Sequence, residues 1–382
     1  RVNPAISNWD GPGVAEKMSR FPFVVAFAYT HDETNHMADI LLPEATDLES
    51  TQLLRIGATK FFEQYWLAQG FALRQAAVKP QGEARDFTEI ATELAQRTGL
   101  LEGYNHSINK GNAGVPLSGD GYDFSLDTGR AHSPEEIWDA MCRAASAEVS
   151  GGTNSDGLNW YREHGLKVTP FPQTHWYLYP AMVEKGLRFE LPYQERLLRV
   201  GAELGNRLHE NGIEWWDDQL KEYQALPQWK DFSGLWADDT DGTEGEPPEF
   251  PFWLLTARSM QYSWGSNVSI QLMQEVAENI TGHGGVIINT GTAAELGIAD
   301  GDLVEVRSAL RATEGRAVVR QGIRPDTLLM IGQFDHWRTP FAKDLKVPSM
   351  NTLTPVSLKL TDATGSSSDI VRVAIRPIGD AE

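Results

Sequence analysis

The stretch from Gly285 to Ser308, GVIINTGTAAELGIADGDLVEVRS, decides the fold of the C-terminal part of this chain. The apolar run Val286-Ile287-Ile288 predicts a strand, and the alanines and leucine that follow recur at helical spacing. Gly297 is expected to end this helical turn in the left-handed conformation. Asp300-Gly301-Asp302 then predicts a reverse turn into a strand of alternating apolar and polar residues. This order of elements is typical of a small β-barrel.

Outward from this stretch, the chain divides into three regions. Residues 251–382 consist of short strands and turns, which predicts that the barrel occupies this whole region. Residues 1–150 alternate strand-like and helix-like segments, which favours an α/β domain with an open, mostly parallel sheet. Residues 151–250 are irregular and rich in aromatic residues, among them Trp215, Trp216, Trp229 and Trp236, and they end in the acidic linker DDTDGTEGEPPE. We expect this third region to connect the two domains.

The composition restricts the partners of the protein. A chain of 382 residues with 41% hydrophobic residues is able to bury large cores. The formal charge of −20 argues against binding to nucleic acid or acidic membranes, because phosphate binding requires clustered lysine and arginine. Cys142 lies in a helical pattern and is predicted to be a buried structural thiol. Since it is the only cysteine, this segment holds neither an internal disulfide nor an iron–sulfur site of its own.

A second motif lies far upstream of the barrel. Phe23-Val24-Val25-Ala26 predicts a buried strand, and residues 30–50, THDETNHMADILLPEATDLES, follow it. This segment and the barrel motif A-x-x-L-G-I-x-D-G-D-x-V-x-V together resemble the catalytic subunits of the molybdenum and tungsten bis-(pterin guanine dinucleotide) oxidoreductases. These enzymes form the dimethyl sulfoxide reductase family. Residues 80–85, PQGEAR, and the helical pattern after them are similar to the same family.

The resemblance implies a cofactor and an assembly. The cofactor is bis-molybdopterin guanine dinucleotide with molybdenum or tungsten, with the guanine nucleotide held by residues 1–150 and the pterin held by a barrel of the double-psi type. Nothing in this chain matches the first half of such subunits, so the metal ligand and any iron–sulfur cluster are expected there. The expected partners are the N-terminal remainder of the same subunit, an iron–sulfur electron-transfer subunit and a membrane anchor subunit. No catalytic residue and no metal ligand is assigned within this chain.

Two stretches supply the cofactor contacts that the resemblance implies near the N-terminus. THDETNH offers several metal-ligand types, but a loop between a strand and a helix does not direct four donors to one point. A strand end followed by a helix start is instead where open α/β sheets hold nucleotides. The resemblance implies guanine nucleotide contacts from Asn3, His31, Asp32, Glu33 and Thr34. The alternative, that Asp32 and Thr34 only cap the helix, stays open.

The barrel supplies the remaining contacts. A strand that runs into the polar loop MQYSWGSN resembles the part of the family that holds a pterin, whose donors and acceptors suit amides and hydroxyls. The alternatives are that this loop is only solvated and that His336 is a satisfied histidine behind the site. Met350 also departs from the small residue that the family commonly has before the asparagine. The implied contacts are Thr256, Ala257, Arg258, Gln261, Ser263, Asn267, His336, Asn351 and Asp362.

The resemblance implies an oxidoreductase without choosing its substrate. Aromatic residues in the QYSW loop favour oxidation of an aromatic or CoA-thioester substrate such as phenylacetyl-CoA. A thiosulfate or polysulfide reductase and a redox-neutral hydratase on the same cofactor are the alternatives. A binding protein without any cofactor is the remaining hypothesis, and metal content distinguishes it from all the others.

Overall fold

A computed structural model describes residues 2–56, 68–170, 195–226, 249–262, 268–280, 282, 284–331, 334–356 and 370–379. The chain forms two compact units, which we call the barrel unit and the helical unit. The barrel unit contains Arg1–Leu41 and Pro192–Glu382, and the helical unit contains Leu42–Leu191. This division falls at other points than residues 150 and 250, because the N-terminal residues pack with the barrel. The functional assignment of the three sequence regions stays a prediction.

The described helices range from single turns to the 17 residues of Pro134–Ser150. A 3₁₀ turn spans Asn35–Met37. Each described helix is too short or too polar to cross a lipid bilayer. The described α-helices are α1 (Pro4–Ser7), α2 (Gly11–Met18), α3 (Phe87–Arg97), α4 (Leu101–Asn109), α5 (Pro134–Ser150), α6 (Leu158–His164), α7 (Glu195–Glu210), α8 (Asp217–Leu220), α9 (Gln271–Glu278), α10 (Thr290–Glu295), α11 (Ala342–Leu345) and α12 (Met350–Leu353).

The strands form one closed barrel and three small sheets in the described residues. The small sheets pair β1 with β2, join β3, β4 and β7, and pair β5 with β6. The strands are β1 (Val25–Ala28), β2 (Ile40–Pro43), β3 (Gln52–Ile56), β4 (Ala68–Arg74), β5 (Ser118–Gly119), β6 (Tyr122–Asp123), β7 (Leu166–Pro170), β8 (Phe252–Ala257), β9 (Val286–Asn289), β10 (Leu303–Arg307), β11 (Ala312–Arg320), β12 (Thr327–Ile331) and β13 (Ile370–Pro377).

Six strands close the barrel in the order β10-β11-β9-β12-β8-β13. The pairs β9/β11 and β8/β12 are parallel, and the other neighbours are antiparallel. Alternate side chains point inward, so Leu254, Val286, Ile288, Val304 and Val306 are fully buried in one apolar core. The predicted α/β class and the predicted C-terminal β-barrel are confirmed.

The stretch from Gly285 to Ser308 folds as predicted. β9 leads into α10, and Gly297 follows that helix with φ of 68°. Gly301 occupies the turn with φ of 91°, a conformation that favours glycine. The Asp302 carboxylate accepts a hydrogen bond from the Ala299 N–H at 2.7 Å, and the Asp300 carboxylate accepts one from the Val319 N–H at 2.8 Å. The aspartates therefore fix the turn and attach it to the neighbouring strand.

The helical unit is organised around α5. Ser133 and Glu136 form a capping box at the start of this helix, and Gly151 ends it with φ of 63°. Cys142 and Tyr161 are fully buried in the core that α5 forms with α6 and the adjacent sheet. The prediction of a buried structural thiol at Cys142 is confirmed.

The sheet of the helical unit differs from the predicted one. Strands β3, β4 and β7 pair antiparallel, whereas the sequence pattern favoured a mostly parallel sheet. Only residues 57–67 separate β3 from β4, fewer than the dozen or so residues that a parallel crossover requires. The length of that connection, which the strand and helix pattern does not express, excludes a parallel pairing of these two strands.

Two further expectations need correction. Residues 151–250 are not irregular throughout, since α6, β7, α7 and α8 lie there. Leu197, Leu204 and Leu208 recur at helical spacing, which is the local signal for α7. The strand expected at residues 23–26 forms at Val25–Ala28 and is not buried, with Phe23 61% and Val25 40% exposed. Trp229, Trp236 and residues 238–248 of the acidic linker lie outside the described residues.

Candidate functional site

One end of the barrel brings together residues from distant parts of the sequence. β8 and β12 run parallel, with Ala257 opposite Ile331, so both strands end on the same side of the barrel. The loop after β8 and the loop after β12 therefore lie side by side, and the rings of Tyr262 and Phe334 meet edge to face at 5.4 Å. Thr256, Ala257, Arg258 and Gln261 thus share this end with the segment that contains His336.

Ser259 builds the loop after β8. Its Oγ accepts hydrogen bonds from the N–H groups of Gln261 and Tyr262, both at 3.1 Å, and the side chain is almost fully buried. The loop exposes Arg258 and leaves Met260 90% exposed. Sequence reasoning missed Ser259, although a serine shortly after a strand end is a known signal for a hydroxyl-stabilised turn.

Glu33 is the centre of the site. Its carboxylate is fully buried and accepts six hydrogen bonds, all from residues of the barrel unit. Oε1 accepts from three consecutive backbone N–H groups, and Oε2 accepts from side chains. The donors are the N–H groups of Trp337 (2.9 Å), Arg338 (2.7 Å) and Thr339 (2.7 Å), the Thr339 hydroxyl (2.7 Å), Asn3 Nδ2 (2.7 Å) and His336 Nδ1 (3.3 Å).

This arrangement keeps Glu33 charged. Burial alone raises its pKa, but the hydrogen bonds from His336, Thr339 and Arg338 outweigh burial and hold the pKa of Glu33 well below its ordinary value. Consecutive N–H groups form an anion-binding nest, which here the carboxylate of the protein itself fills. A carboxylate offers about four lone-pair sites, so its capacity is taken up. The predicted contact from Glu33 to a nucleotide would therefore have to replace one of these donors.

Asn3 and Thr34 complete the connection between the N-terminal residues and this loop. Asn3 Oδ1 accepts hydrogen bonds from the Thr34 N–H at 3.2 Å and from the Thr34 hydroxyl at 2.6 Å. Thr34 Oγ1 in turn accepts from the Ala5 N–H at 3.1 Å. Both predicted residues are therefore engaged with backbone and side chains of the barrel unit.

The segment after Thr30 forms a short 3₁₀ turn instead of the helix that the sequence predicts. Asp32 Oδ1 accepts from the Asn35 N–H at 2.8 Å, and the Asp32 N–H donates to Asn35 Oδ1 at 3.0 Å. These reciprocal bonds close a 3₁₀ turn where the sequence predicted the start of a helix. Asp32 therefore does cap the segment that follows it, and burial raises its pKa. Sequence reasoning missed the buried Asn35, whose Nδ2 donates to the Thr30 carbonyl at 2.7 Å.

A row of aromatic rings runs along this segment. The ring of His36 meets His31 at 5.4 Å and Trp337 at 5.8 Å, both edge to face. Desolvation, and then the positive charge of Arg338, lowers the pKa of His36. Trp337 is 49% exposed, so this row offers apolar ring surface at the end of the barrel.

His336 lies beneath this surface. Its side chain is 2% exposed, and its Nδ1 faces Glu33. Nε2 is buried and has no hydrogen-bond partner among the described residues. The preceding residue, Asp335, adopts φ of 65° and accepts hydrogen bonds from the hydroxyls of Thr313 and Thr352. Burial raises the pKa of Asp335.

Asn351 attaches the first helices to the barrel. Its Nδ2 donates to the Ile6 carbonyl at 2.8 Å, and its own carbonyl accepts from the Asp10 N–H at 2.7 Å. The neighbouring Met350 is buried in the barrel core, which accounts for a large apolar residue at this position. Of the predicted contacts, Ser263, Asn267 and Asp362 lie outside the described residues.

The described residues suit an anionic, heteroaromatic ligand. Arg258 and Arg338 are exposed and have no acidic partner among the described residues, which suits a pyrophosphate. The buried Nε2 of His336 and the aromatic row suit a planar ring with polar edges. No three His, Cys, Asp or Glu side chains in the described part of the chain are grouped as metal ligands.

Comparison with known families agrees with this geometry. A family model described as "Molydopterin dinucleotide binding domain" matches residues 252–368, and one described as "Molybdopterin oxidoreductase" matches residues 1–97. The fold and site thus define a molybdopterin dinucleotide-binding protein. The two matched segments are those of molybdopterin oxidoreductases, as the resemblance to the dimethyl sulfoxide reductase family implied. The family and the cofactor class predicted from the sequence are confirmed.

Two individual proteins are similar to most of the chain. The thiosulfate reductase molybdopterin-containing subunit PhsA of Salmonella typhimurium is 24% identical over 330 residues, which cover 83% of this chain and 35% of that protein. The solved structure of acetylene hydratase from Pelobacter acetylenicus aligns with a TM-score of 0.59 at 14% identity, covering 98% of this chain and 43% of that one. The latter likeness concerns the fold alone. The chain spans about a third to two fifths of the length of these relatives.

Proposed function

We propose that this chain is the cofactor-binding C-terminal part of a catalytic subunit that uses bis-molybdopterin guanine dinucleotide with molybdenum or tungsten. One observation carries the proposal. The buried Glu33 carboxylate holds the loop at residues 336–339 beside the segment at residues 31–34, at the barrel end where the loop after β8 also lies. The family motif near the N-terminus and the family motifs of the barrel thereby form one surface.

The side chains divide the binding task by their chemistry. Arg258 and Arg338 would pair with pyrophosphate oxygens, because guanidinium groups bind such oxygens in pairs. Gln261, Thr256 and the backbone at Ala257 would hydrogen-bond pterin edges, and Ser263, Asn267 and Asp362 are proposed for the same task. His31, Asp32 and Asn351 are proposed as the guanine-side contacts, with Asn3, Glu33 and Thr34 holding the surface in place. The cofactor, when bound, supplies the redox chemistry, and the protein supplies binding and orientation.

For the substrate we favour a sulfur compound such as thiosulfate or polysulfide, with electrons passing through an iron–sulfur partner subunit. The similarity to a thiosulfate reductase subunit supports this choice. The folded protein gives less support to phenylacetyl-CoA as the substrate. Tyr262 of the QYSW loop is 6% exposed, its ring packs on Phe334 and its hydroxyl bonds to Gln274. Oxidation of phenylacetyl-CoA is therefore the second candidate, and redox-neutral hydration is the third.

The test begins with the complete protein purified from a native host. We expect near-stoichiometric molybdenum or tungsten, and about two guanine nucleotides per metal after acid hydrolysis, as the bis-dinucleotide composition requires. Arg258→Ala is expected to lower the metal content several-fold. Arg324→Ala is a matched control, because Arg324 is an exposed arginine paired with Asp326. Absence of both metals and of guanine would overturn the proposal.

Turnover assays then decide between the substrates. A thiosulfate or polysulfide reductase requires a reduced electron donor, an oxidase of phenylacetyl-CoA requires an electron acceptor, and a hydratase requires neither. Each substrate is assayed with and without a redox dye. Turnover of thiosulfate or polysulfide that depends on the reduced dye would support the favoured substrate. Turnover of phenylacetyl-CoA with an acceptor dye, or hydration without any dye, in place of sulfur reduction would overturn it.

A further inference from the structure

Glu33 and His336 form a buried pair whose geometry restricts the imidazole. The two side chains are 0% and 2% exposed, and 3.3 Å separates Glu33 Oε2 from His336 Nδ1. An ionised carboxylate only accepts hydrogen bonds, so Nδ1 must carry the proton in this contact. In the neutral ring, Nε2 then presents a lone pair and is able only to accept.

The carboxylate itself has no freedom to turn. The N–H groups of Trp337, Arg338 and Thr339 hold Oε1, and Asn3 Nδ2 and the Thr339 hydroxyl hold Oε2. Because none of these donors is able to reverse its role except the hydroxyl, the side of Glu33 that faces His336 is fixed as an acceptor. Five contacts that do not involve the imidazole thus fix the carboxylate oxygen that faces it.

Nε2 is buried without a partner among the described residues, and in the neutral ring with Nδ1–H it is an acceptor. A buried polar atom without a hydrogen bond is unfavourable, and such atoms in native proteins usually serve a ligand or a water molecule. The row of rings formed by His31, His36 and Trp337, the residue after His336, suits a planar ligand. Guanine and pterin share a 2-amino-4-oxopyrimidine ring, which carries N–H donors at its edge.

We propose that Glu33 is a positioning residue that holds His336 in its Nδ1–H tautomer, so that Nε2 accepts a hydrogen bond from an N–H of a 2-amino-4-oxopyrimidine ring. This inference rests on the proposed function for the identity of the ligand. The tautomer does not depend on it. The role of Glu33 accordingly shifts from nucleotide contact to support of the histidine.

The tautomer is measurable without the cofactor. The complete protein is prepared with ¹⁵N-histidine in a host that makes no molybdopterin, and the His336 signal among the nine histidines of this chain is assigned by its loss in His336→Gln. The wild-type spectrum is expected to show a protonated Nδ1 and an unprotonated Nε2. An Nε2–H tautomer or a doubly protonated ring would overturn the inference, whether or not any variant folds.

Two variants separate positioning from simple packing. In Glu33→Gln the amide oxygen must face the three backbone N–H groups, so the amide NH₂ faces His336 and the proton is expected to move to Nε2. Thr339→Val removes one hydroxyl contact to Glu33 but leaves the Glu33 carboxylate in place. His336 is therefore expected to keep its wild-type tautomer in this variant. An unchanged tautomer in folded Glu33→Gln would contradict the positioning role.

The ligand is tested with GDP and with a simple pterin in separate titrations of the cofactor-free protein. A displacement of the Nε2 signal by one probe identifies which ring His336 meets, and Glu33→Gln is expected to weaken that binding at least tenfold, with Thr339→Val changing it less than threefold. Failure of both probes to displace the signal in wild-type protein would overturn the acceptor role. Absence of metal and guanine from the native protein would instead overturn the proposed function, leaving the tautomer result standing.

Discussion

The loop region around Glu33 and the helical core around Cys142 both bury an ionisable side chain completely, yet they treat it in opposite ways. Glu33 meets six donors, and its pKa is held well below the ordinary value. Cys142 lies among apolar residues, and burial raises its pKa to about 12, with a smaller contribution from Asp139. Burial thus removes a charge only where hydrogen-bond donors are missing. The first region is built to hold a charge, and the second is built to exclude one.

The largest effect on the free energy of unfolding is expected for Glu33→Ala. The substitution leaves three backbone N–H groups, Asn3 and His336 without their acceptor, so we expect the free energy of unfolding to fall by about 3–5 kcal/mol. Urea unfolding followed by circular dichroism measures the change. Glu16→Ala is the control, because Glu16 is an exposed partner of Arg20 and should change stability by less than about 0.5 kcal/mol. Equal effects of the two substitutions would contradict the anchoring role.

A smaller effect is expected for Asn3→Ala. This change removes the Asn3 donor to the Glu33 carboxylate and the Asn3 acceptor for Thr34, which we expect to cost about 2 kcal/mol. The exposed Asn8 serves as the matched control, and Asn8→Ala should be near neutral. If Asn3→Ala is also neutral by urea unfolding, the connection from α1 to Glu33 contributes nothing to stability.

The pH dependence of stability should reflect the charge on Glu33. A carboxylate whose folded pKa is depressed contributes stability above its unfolded pKa of about 4.3, and that contribution is lost as the pH falls toward the folded pKa. The stability difference between wild type and Glu33→Gln should therefore be constant above about pH 6 and shrink by about 1.4 kcal/mol or more on acidification to about pH 3. A difference that does not vary with pH would show that Glu33 is not the titrating group.

The smallest effect concerns the helical core. Cys142→Ser places a hydroxyl among apolar residues, which we expect to lower the free energy of unfolding by about 1 kcal/mol more than Cys142→Ala does. The cost stays this small because a helical serine is able to bond to the carbonyl four residues earlier. Thermal unfolding of the two variants gives the comparison. Equal stabilities would mean that this core tolerates a polar group as the loop region does.

Local signals allowed much of the fold to be predicted. The barrel stretch was predictable because Gly297, Gly301 and the two aspartates act on their own neighbours in sequence, and the structure confirms each of them. The 3₁₀ turn at Asn35–Met37 was not, because the pairing of Asp32 with Asn35 competes with a helix cap that uses the same residue types. The prediction of a mostly parallel sheet was wrong because strand direction depends on which strands pair in the folded protein.

The barrel, the family and cofactor class, and the burial of Cys142 could all be predicted from residue spacing or from motifs along the chain. The role of Glu33 as an internal anchor for residues 336–339, and the Nε2 of His336 that has no partner among the described residues, became visible in the folded protein alone. Some 300 residues separate Glu33 from His336 in the chain. The letter E in a sequence does not say whether its lone pairs face water, a ligand or the backbone, and folding alone brings the donors that settle the question.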